Sequence, residues 1–268
     1  CLDIHDVMTS RGLVGRLARW AERAVLKRAA RVVVRAPEFL SAYFRARQGF
    51  EGDVVLQENR ILWLDARHPP HRPQAPKDVG RPLVLGWVGT LRCPRSLEIL
   101  SEVARRAGPD LRVELHGVIH RHQLPGIEDQ IAAHPNVSLH GKYSYPADLG
   151  RIYARLDCVW GQDLWQAGAN SDWLLPNRLY EAGYFGCPLI AVAGTATARR
   201  LAQDGTGLVV EAPTADAVLA ALVEPQALDA ARARLGMMEA RAFLQTPEEF
   251  AATLLVTRTP ETRARMSA

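Results

Sequence analysis

The sequence predicts an α/β protein made of two doubly wound parallel sheets, the first only partly present. Three observations carry this. Short apolar runs at 31–34, 53–57, 83–88, 111–115, 137–140, 157–160, 189–192 and 207–210 alternate with segments of helical periodicity, which is the repeating unit of such sheets. A prolyl, polar stretch from 65 to 82 has no periodicity and reads as a linker. The chain opens on Cys1 and a brief apolar run at 2–4, which reads as the end of a strand whose beginning is absent, so a fragment or processed chain is expected. The expected organisation is a remainder of a first domain at 1–64, the linker at 65–82, a second domain at 83–245 and a closing helix and tail at 246–268.

Composition narrows the class. A length of 268 residues suits two modest α/β domains, and 48% hydrophobic with 23% charged residues is ordinary for a globular protein with a sizeable core. No apolar run approaches the roughly 20 residues needed to span a bilayer. Cys1, Cys93, Cys158 and Cys187 are far apart, which points to reduced thiols in a cytoplasmic setting and away from a disulfide framework or a zinc site. The net charge of +4 is mild and its arginines are dispersed, so no nucleic-acid partner is expected.

Taken in order, His5 and Asp6 follow the first strand end, where parallel sheets place ligand-facing residues; a surface histidine and a helix cap are the plainer reading. Leu13, Val14, Leu17, Trp20, Ala21, Ala24 and Val25 recur at helical spacing. The opposite face holds Arg11, Arg16, Arg19, Arg23, Lys27 and Arg28 against Glu22, a face suited to an anionic membrane surface or to solvent. A helix at 37–48 ends at Gly49.

Beyond the linker, the strand at 83–88 runs into Gly89 and Thr90 before a helix at 96–107. Glycine there lets backbone approach phosphate oxygens, and Arg92 and Arg95 add positive charge. Neither Gly-x-Gly-x-x-Gly nor a Walker lysine motif is present. His116 and Gly117 end the next strand, whereas His120 and His122 sit in a loop beside Arg121, so the three histidines are not expected to hold a metal. Gly141, Lys142 and Tyr143 follow the strand at 137–140. Helices are expected at 127–133, 147–156, 196–203 and, capped by Thr214, up to 222; the helical stretch at 225–256 breaks near Gly236 and Thr246-Pro247. A long loop after residue 160 carries Gln162, Asp163, Gly168, Asn170 and Ser171, all able to bond sugar hydroxyls.

The most informative block spans 170–192, Asn-Ser-Asp-Trp-Leu-Leu-Pro-Asn-Arg-Leu-Tyr-Glu-Ala-Gly-Tyr-Phe-Gly-Cys-Pro-Leu-Ile-Ala-Val. Pro176 and Gly186 bracket a helix. Its start, Asn177 and Arg178, offers free N–H groups, a positive dipole end and a guanidinium to a diphosphate. Glu181, a turn further in, suits sugar or ribose hydroxyls instead.

At these residues the chain resembles the GT-B type glycosyltransferases, in particular the retaining enzymes of bacterial surface and exopolysaccharide synthesis. The resemblance covers roughly residues 3–222 and is most specific at Leu-Pro-Asn-Arg-Leu-Tyr-Glu and Gly-Cys-Pro-Leu-Ile-Ala. It implies two Rossmann-like domains with a donor cleft between them, a ribose contact for Glu181, nucleobase contacts for Gly141, Lys142 and Tyr143, and a cleft-facing role for His5 and Asp6. Many such enzymes carry a second glutamate eight positions before the first; here that position is Trp173.

The expected activity is transfer of a sugar from a nucleotide-sugar donor to a saccharide or lipid-linked saccharide acceptor at the inner face of the plasma membrane, with no cofactor. Fixed positive groups take the place of an Asp-x-Asp metal pair. The alternatives are a non-catalytic nucleotide-sugar-binding scaffold subunit and a sugar-nucleotide epimerase.

Overall fold

A computed structural model of the chain describes residues 12–64, 72 and 80–254. His5, Asp6, the strand expected at 2–4, most of the prolyl segment and the tail beyond 254 lie outside them.

Helix α1 (Gly12–Leu26) carries the expected apolar stripe, but turned outward: Leu13, Val14, Leu17, Trp20 and Val25 are between 56% and 71% exposed. Its inner side is held by polar anchors. The Glu22 carboxylate accepts hydrogen bonds from the Tyr43 hydroxyl and the Gln48 amide, and Arg23 donates to Gln48 Oε1 at 3.0 Å and to the Arg47 carbonyl at 2.8 Å. Periodicity locates a stripe and leaves its direction open; the buried Gly15 and this polar cluster set the direction here.

Strand β1 (Val32–Val34) leads through a π-wound turn, Phe39–Arg45, to β2 (Val54–Leu56), which pairs with β1 in parallel, and a two-residue strand β3 (Ile61–Leu62) follows.

The second half is built on β4 (Leu83–Leu91), β5 (Leu111–Ile119), β6 (Val137–Gly141), β7 (Cys158–Trp160), β8 (Leu189–Val192) and β9 (Gly207–Val210). They form one parallel sheet in the order β6-β5-β4-β7-β8-β9. The connecting helices are α2 (Pro94–Ala107), α3 (Ile127–Ala132), α4 (Leu149–Tyr153), α5 (Asn170–Trp173), α6 (Asn177–Tyr184), α7 (Ala196–Asp204) and α8 (Ala215–Leu222). Then come α9 (Pro225–Met237), the short strand β10 (Leu244–Gln245) and α10 (Pro247–Leu254). Strand β10 returns to pair with β3.

Alternation along each strand feeds two cores, one on each face of the sheet. Val84, Val88, Ile152, Tyr153 and Leu156 fill one, and Leu85, Trp87, Leu97, Val113 and Leu115 fill the other. Burying each such side chain is worth about 1.5–3 kcal/mol, so the sheet is a rigid frame for the loops at its end. At the opposite end, the Arg81 guanidinium grips both oxygens of Asp157 at 2.8 and 2.9 Å, and that carboxylate also caps the Val84 N–H.

Strand β4 lies between β5 and β7, so the chain winds outward to β6 on one side and then crosses to the other. Such a crossing opens a crevice beyond the carboxyl ends of the central strands.

Candidate functional site

The crevice holds a cleft of about 450 Å³. Gly89 and Thr90 from β4, Gly117 and Val118 from β5, Lys142, Tyr143 and Tyr145 after β6, and Asp163 after β7 line it, with Arg92, Pro176, Asn177, Arg178 and Glu181. Asn59 reaches in from the first half of the chain and donates to the Leu175 carbonyl at 2.8 Å.

Two glycines shape its floor. Gly89 and Gly117 both have positive φ, at 119° and 141°, and a Cβ on Gly117 would lie 1.6 Å from the Gly89 carbonyl oxygen. Bare backbone is therefore a steric requirement of the β4–β5 contact, and it leaves the surface that a diphosphate can approach.

Helix α6 begins beside this floor. Pro176 is its N-cap and supplies no side-chain cap, so the first-turn N–H groups at Asn177 and Arg178 lack that partner and can serve an anion. Arg178 donates to the Trp160 carbonyl at 3.2 Å, which holds its guanidinium at the cleft wall. Glu181 is 3% exposed; its Oε2 accepts from the Tyr153 hydroxyl at 2.9 Å, and Oε1 has no hydrogen-bond partner among the described residues. Burial pushes the Glu181 carboxyl above the usual carboxylate range, with the Tyr153 hydrogen bond and Arg178 opposing it. Tyr145 is pushed up to about 12, first by burial and then by the charge of Glu181.

Nine of the residues picked from the sequence meet here: Gly89, Thr90, Arg92, Gly117, Lys142, Tyr143, Asn177, Arg178 and Glu181. Five do not. Arg95 points away and donates to the Pro213 carbonyl at 3.2 Å. Its helix also starts two residues earlier than expected, at Pro94, because Cys93 Sγ accepts from the Ser96 N–H. Asn170 and Ser171 belong to α5, and Ser171 Oγ is used within the loop by the Gln166 N–H at 2.9 Å. Gly141 forms the end of β6, and its φ of 74° turns the chain toward Lys142.

His116 is turned to the side. It is 5% exposed, hydrogen-bonds Glu114 at 2.9 Å and stacks on His140 with ring centroids 4.3 Å apart. Burial resists ionisation of Glu114, yet the bond to His116 and the Arg155 guanidinium outweigh it and hold its carboxyl down at about 2.

Asp163, expected only as a loop residue able to bond sugar hydroxyls, and Tyr145, which the sequence does not single out, also line the cleft. Asp163 pairs with Arg92 at 2.8 Å, so the positive charge contributed by that arginine is partly compensated before any ligand arrives. The signal for Tyr145 is its place two residues past Tyr143, in the same loop after β6.

Solved structures share this architecture. Anabaena HepE, solved in complex with UDP and glucose, superposes with a TM-score of 0.64 at 16% identity, over 94% of this chain and 69% of HepE. WaaG, a glycosyltransferase involved in lipopolysaccharide biosynthesis, gives 0.62 at 15% identity, over 96% of this chain and 73% of WaaG. These likenesses show that the chain shares the GT-B fold of the two proteins. In sequence, the chain is 36% identical over 213 residues to the succinoglycan biosynthesis protein ExoL of Rhizobium meliloti strain 1021. That match takes in 79% of the chain and spans about half, 53%, of ExoL. No protein-family model matches the chain.

Proposed function

We propose that the chain is the donor-binding part of a glycosyltransferase that moves a sugar from a nucleotide-sugar to a saccharide acceptor in exopolysaccharide synthesis. The observation that carries this is the placement of Arg178 and Glu181 on α6, at the wall of a cleft floored by Gly89 and Gly117. In this reading the diphosphate lies over the glycines, against the start of α6, Arg178, Arg92 and Lys142. The ribose hydroxyls meet Glu181 Oε1. Charge on the departing diphosphate grows as the glycosidic bond breaks, and these fixed groups take it up without reorganising. Solvation of that charge by a divalent cation is then unnecessary, so added magnesium or manganese should leave the rate unchanged.

The likeness to ExoL supports exopolysaccharide synthesis, and the HepE complexes with UDP and UDP-glucose support a uridine donor. The wording of the 170–192 block supports retention of configuration. Residues 83–245 hold the donor in this reading, residues 1–64 face the acceptor, and the closing segment 246–268 crosses back, a reading supported by β10, immediately before it, which pairs with β3. No helix among the described residues is long and apolar enough to cross a membrane. We place the enzyme instead against the inner, anionic face of the membrane through α1, whose exposed apolar stripe is flanked by Arg16, Lys27 and Arg28, a pattern suited to a lipid-linked acceptor.

Trp173 favours a second reading. It stands where relatives carry a second glutamate, and instead packs edge-on against Phe39 at 6.2 Å under the Arg47 guanidinium at 5.8 Å. A chain without that carboxylate can hold a donor without turning it over. Titration with UDP-, GDP- and ADP-sugars, followed by assay for released nucleotide in the presence of saccharide acceptors, separates the two. Saturable binding with release supports the transferase, binding without release supports the scaffold, and no binding removes both.

A further inference from the structure

We propose that Glu114, His116 and His140 form a site for one divalent transition-metal ion of the zinc class, beside the donor cleft. The proposal stands on its own geometry and does not rest on the donor reading. Glu114 and His116 are two apart on β5, so both side chains leave the same face of the sheet. The third ligand comes from an irregularity. Strand β6 pairs Leu139 with Leu115 but Gly141 with His116, so His140 is an extra residue in the ladder. A bulge of this kind re-aims a side chain, and here it stacks the His140 ring on that of His116, 7° from parallel.

The donor atoms converge. Glu114 Oε2 is 2.9 Å from His116 Nε2 and 3.6 Å from His140 Nε2, and one ligand atom from each residue lies within 4.8 Å of the others. With metal–nitrogen distances of about 2.0–2.1 Å, neighbouring ligands of a tetrahedral ion are roughly 3.3 Å apart, so the site is completed when the two stacked rings rotate out of parallel and turn their Nε2 lone pairs onto one ion. Arg155 Nη2 holds the other carboxylate oxygen, Oε1, at 2.9 Å and aims Oε2 at the imidazoles, as an outer-shell partner does. Two imidazoles and one carboxylate suit zinc, cobalt, nickel or copper, whereas magnesium and calcium prefer oxygen donors. His140 is the partly exposed member, with a third of its side chain accessible, and gives the ion an entry and a fourth position for water.

An ion there ties β5 to the bulged end of β6, from which Lys142, Tyr143 and Tyr145 run into the cleft. Its role is to fix that segment, since Glu114, His116 and His140 are not among the cleft-lining residues.

The test uses the full chain without a histidine tag, stripped with chelator and titrated with Zn²⁺ by calorimetry and with Co²⁺ by visible absorption. The expected result is one equivalent bound, a tetrahedral cobalt spectrum, and no response to Mg²⁺. His140→Asn, at an accessible position that should not disturb folding, should weaken Zn²⁺ binding at least about tenfold. Glu114→Gln should do the same, and His120→Ala with His122→Ala should not. Absence of a saturable one-equivalent site, or zinc binding indifferent to both His140→Asn and Glu114→Gln, would overturn the proposal.

Discussion

The Tyr153 hydroxyl donates to Glu181 Oε2 across 2.9 Å, joining the short helix α4 to α6 behind the cleft. Both groups are buried, so this bond keeps one carboxylate oxygen supplied while the other is left for a ligand. Tyr153→Phe should therefore keep the ring packing against Phe185 yet weaken nucleotide-sugar binding by about tenfold, since a buried carboxylate that loses its donor shifts toward its neutral form. Calorimetric titration with UDP-sugar checks it; an unchanged Kd would remove the bond from the site.

Glu181 also has a consequence for stability. Its pKa in the folded chain is raised above the ordinary value of 4.5, so the folded state holds this proton more tightly than the unfolded one. Stability contributed by the neutral form is complete below 4.5, falls as pH rises through the window up to the folded value, and stays lost above it. Glu181→Gln should then denature at neutral pH no earlier than the parent and lose the pH dependence in that window, while sugar transfer drops at least about a hundredfold. Urea melts at pH 4 and pH 7.5 alongside a turnover assay read both effects.

Arg92 and Asp163 face each other at 2.8 Å at the cleft wall. Removing the guanidinium with Arg92→Ala leaves a carboxylate near the proposed diphosphate, so affinity should fall by about tenfold or more for UDP and little for uridine. Equal losses for both ligands would place Arg92 away from the phosphates.

Gly117→Ala puts a methyl group 1.6 Å from the Gly89 oxygen on a backbone with φ of 141°. The β4–β5 contact must open, at a cost of at least about 2 kcal/mol, and the cleft floor moves with it. Lower chemical-denaturation midpoints together with weaker donor binding are expected.

Trp20→Glu on α1 tests the surface reading. Trp20 is 69% exposed, so stability should change by less than about 0.5 kcal/mol, whereas co-sedimentation with anionic phosphatidylglycerol vesicles should fall severalfold. Retained sedimentation would assign α1 another partner.

The sheet was legible because its strands are written locally, as β-branched runs between glycines and helix starts, and each of the eight expected runs is a strand in the structure. Helix α6 was legible for a similar reason: proline before it and glycine after it mark both ends. What failed were relations that no local pattern carries. The α1 stripe was read correctly, but its direction depends on Glu22 meeting Tyr43 and Gln48 some twenty residues away. Likewise His116 was weighed with His120 and His122, its neighbours in sequence, although Glu114 on the same strand face and the bulged His140 are its neighbours in space. The alternation rule alone would have supplied Glu114.

Strands β3 and β10 had no signature at all, being two residues each. Their pairing nonetheless settles an order of events. Gln57 bonds Gln245 across 188 positions, and the Ile61 amide waits for the Phe243 carbonyl, 2.8 Å away in the finished fold. During synthesis the β3 edge has no partner until residue 245 has left the ribosome, so this corner closes after the large sheet that separates the two strands in sequence has emerged.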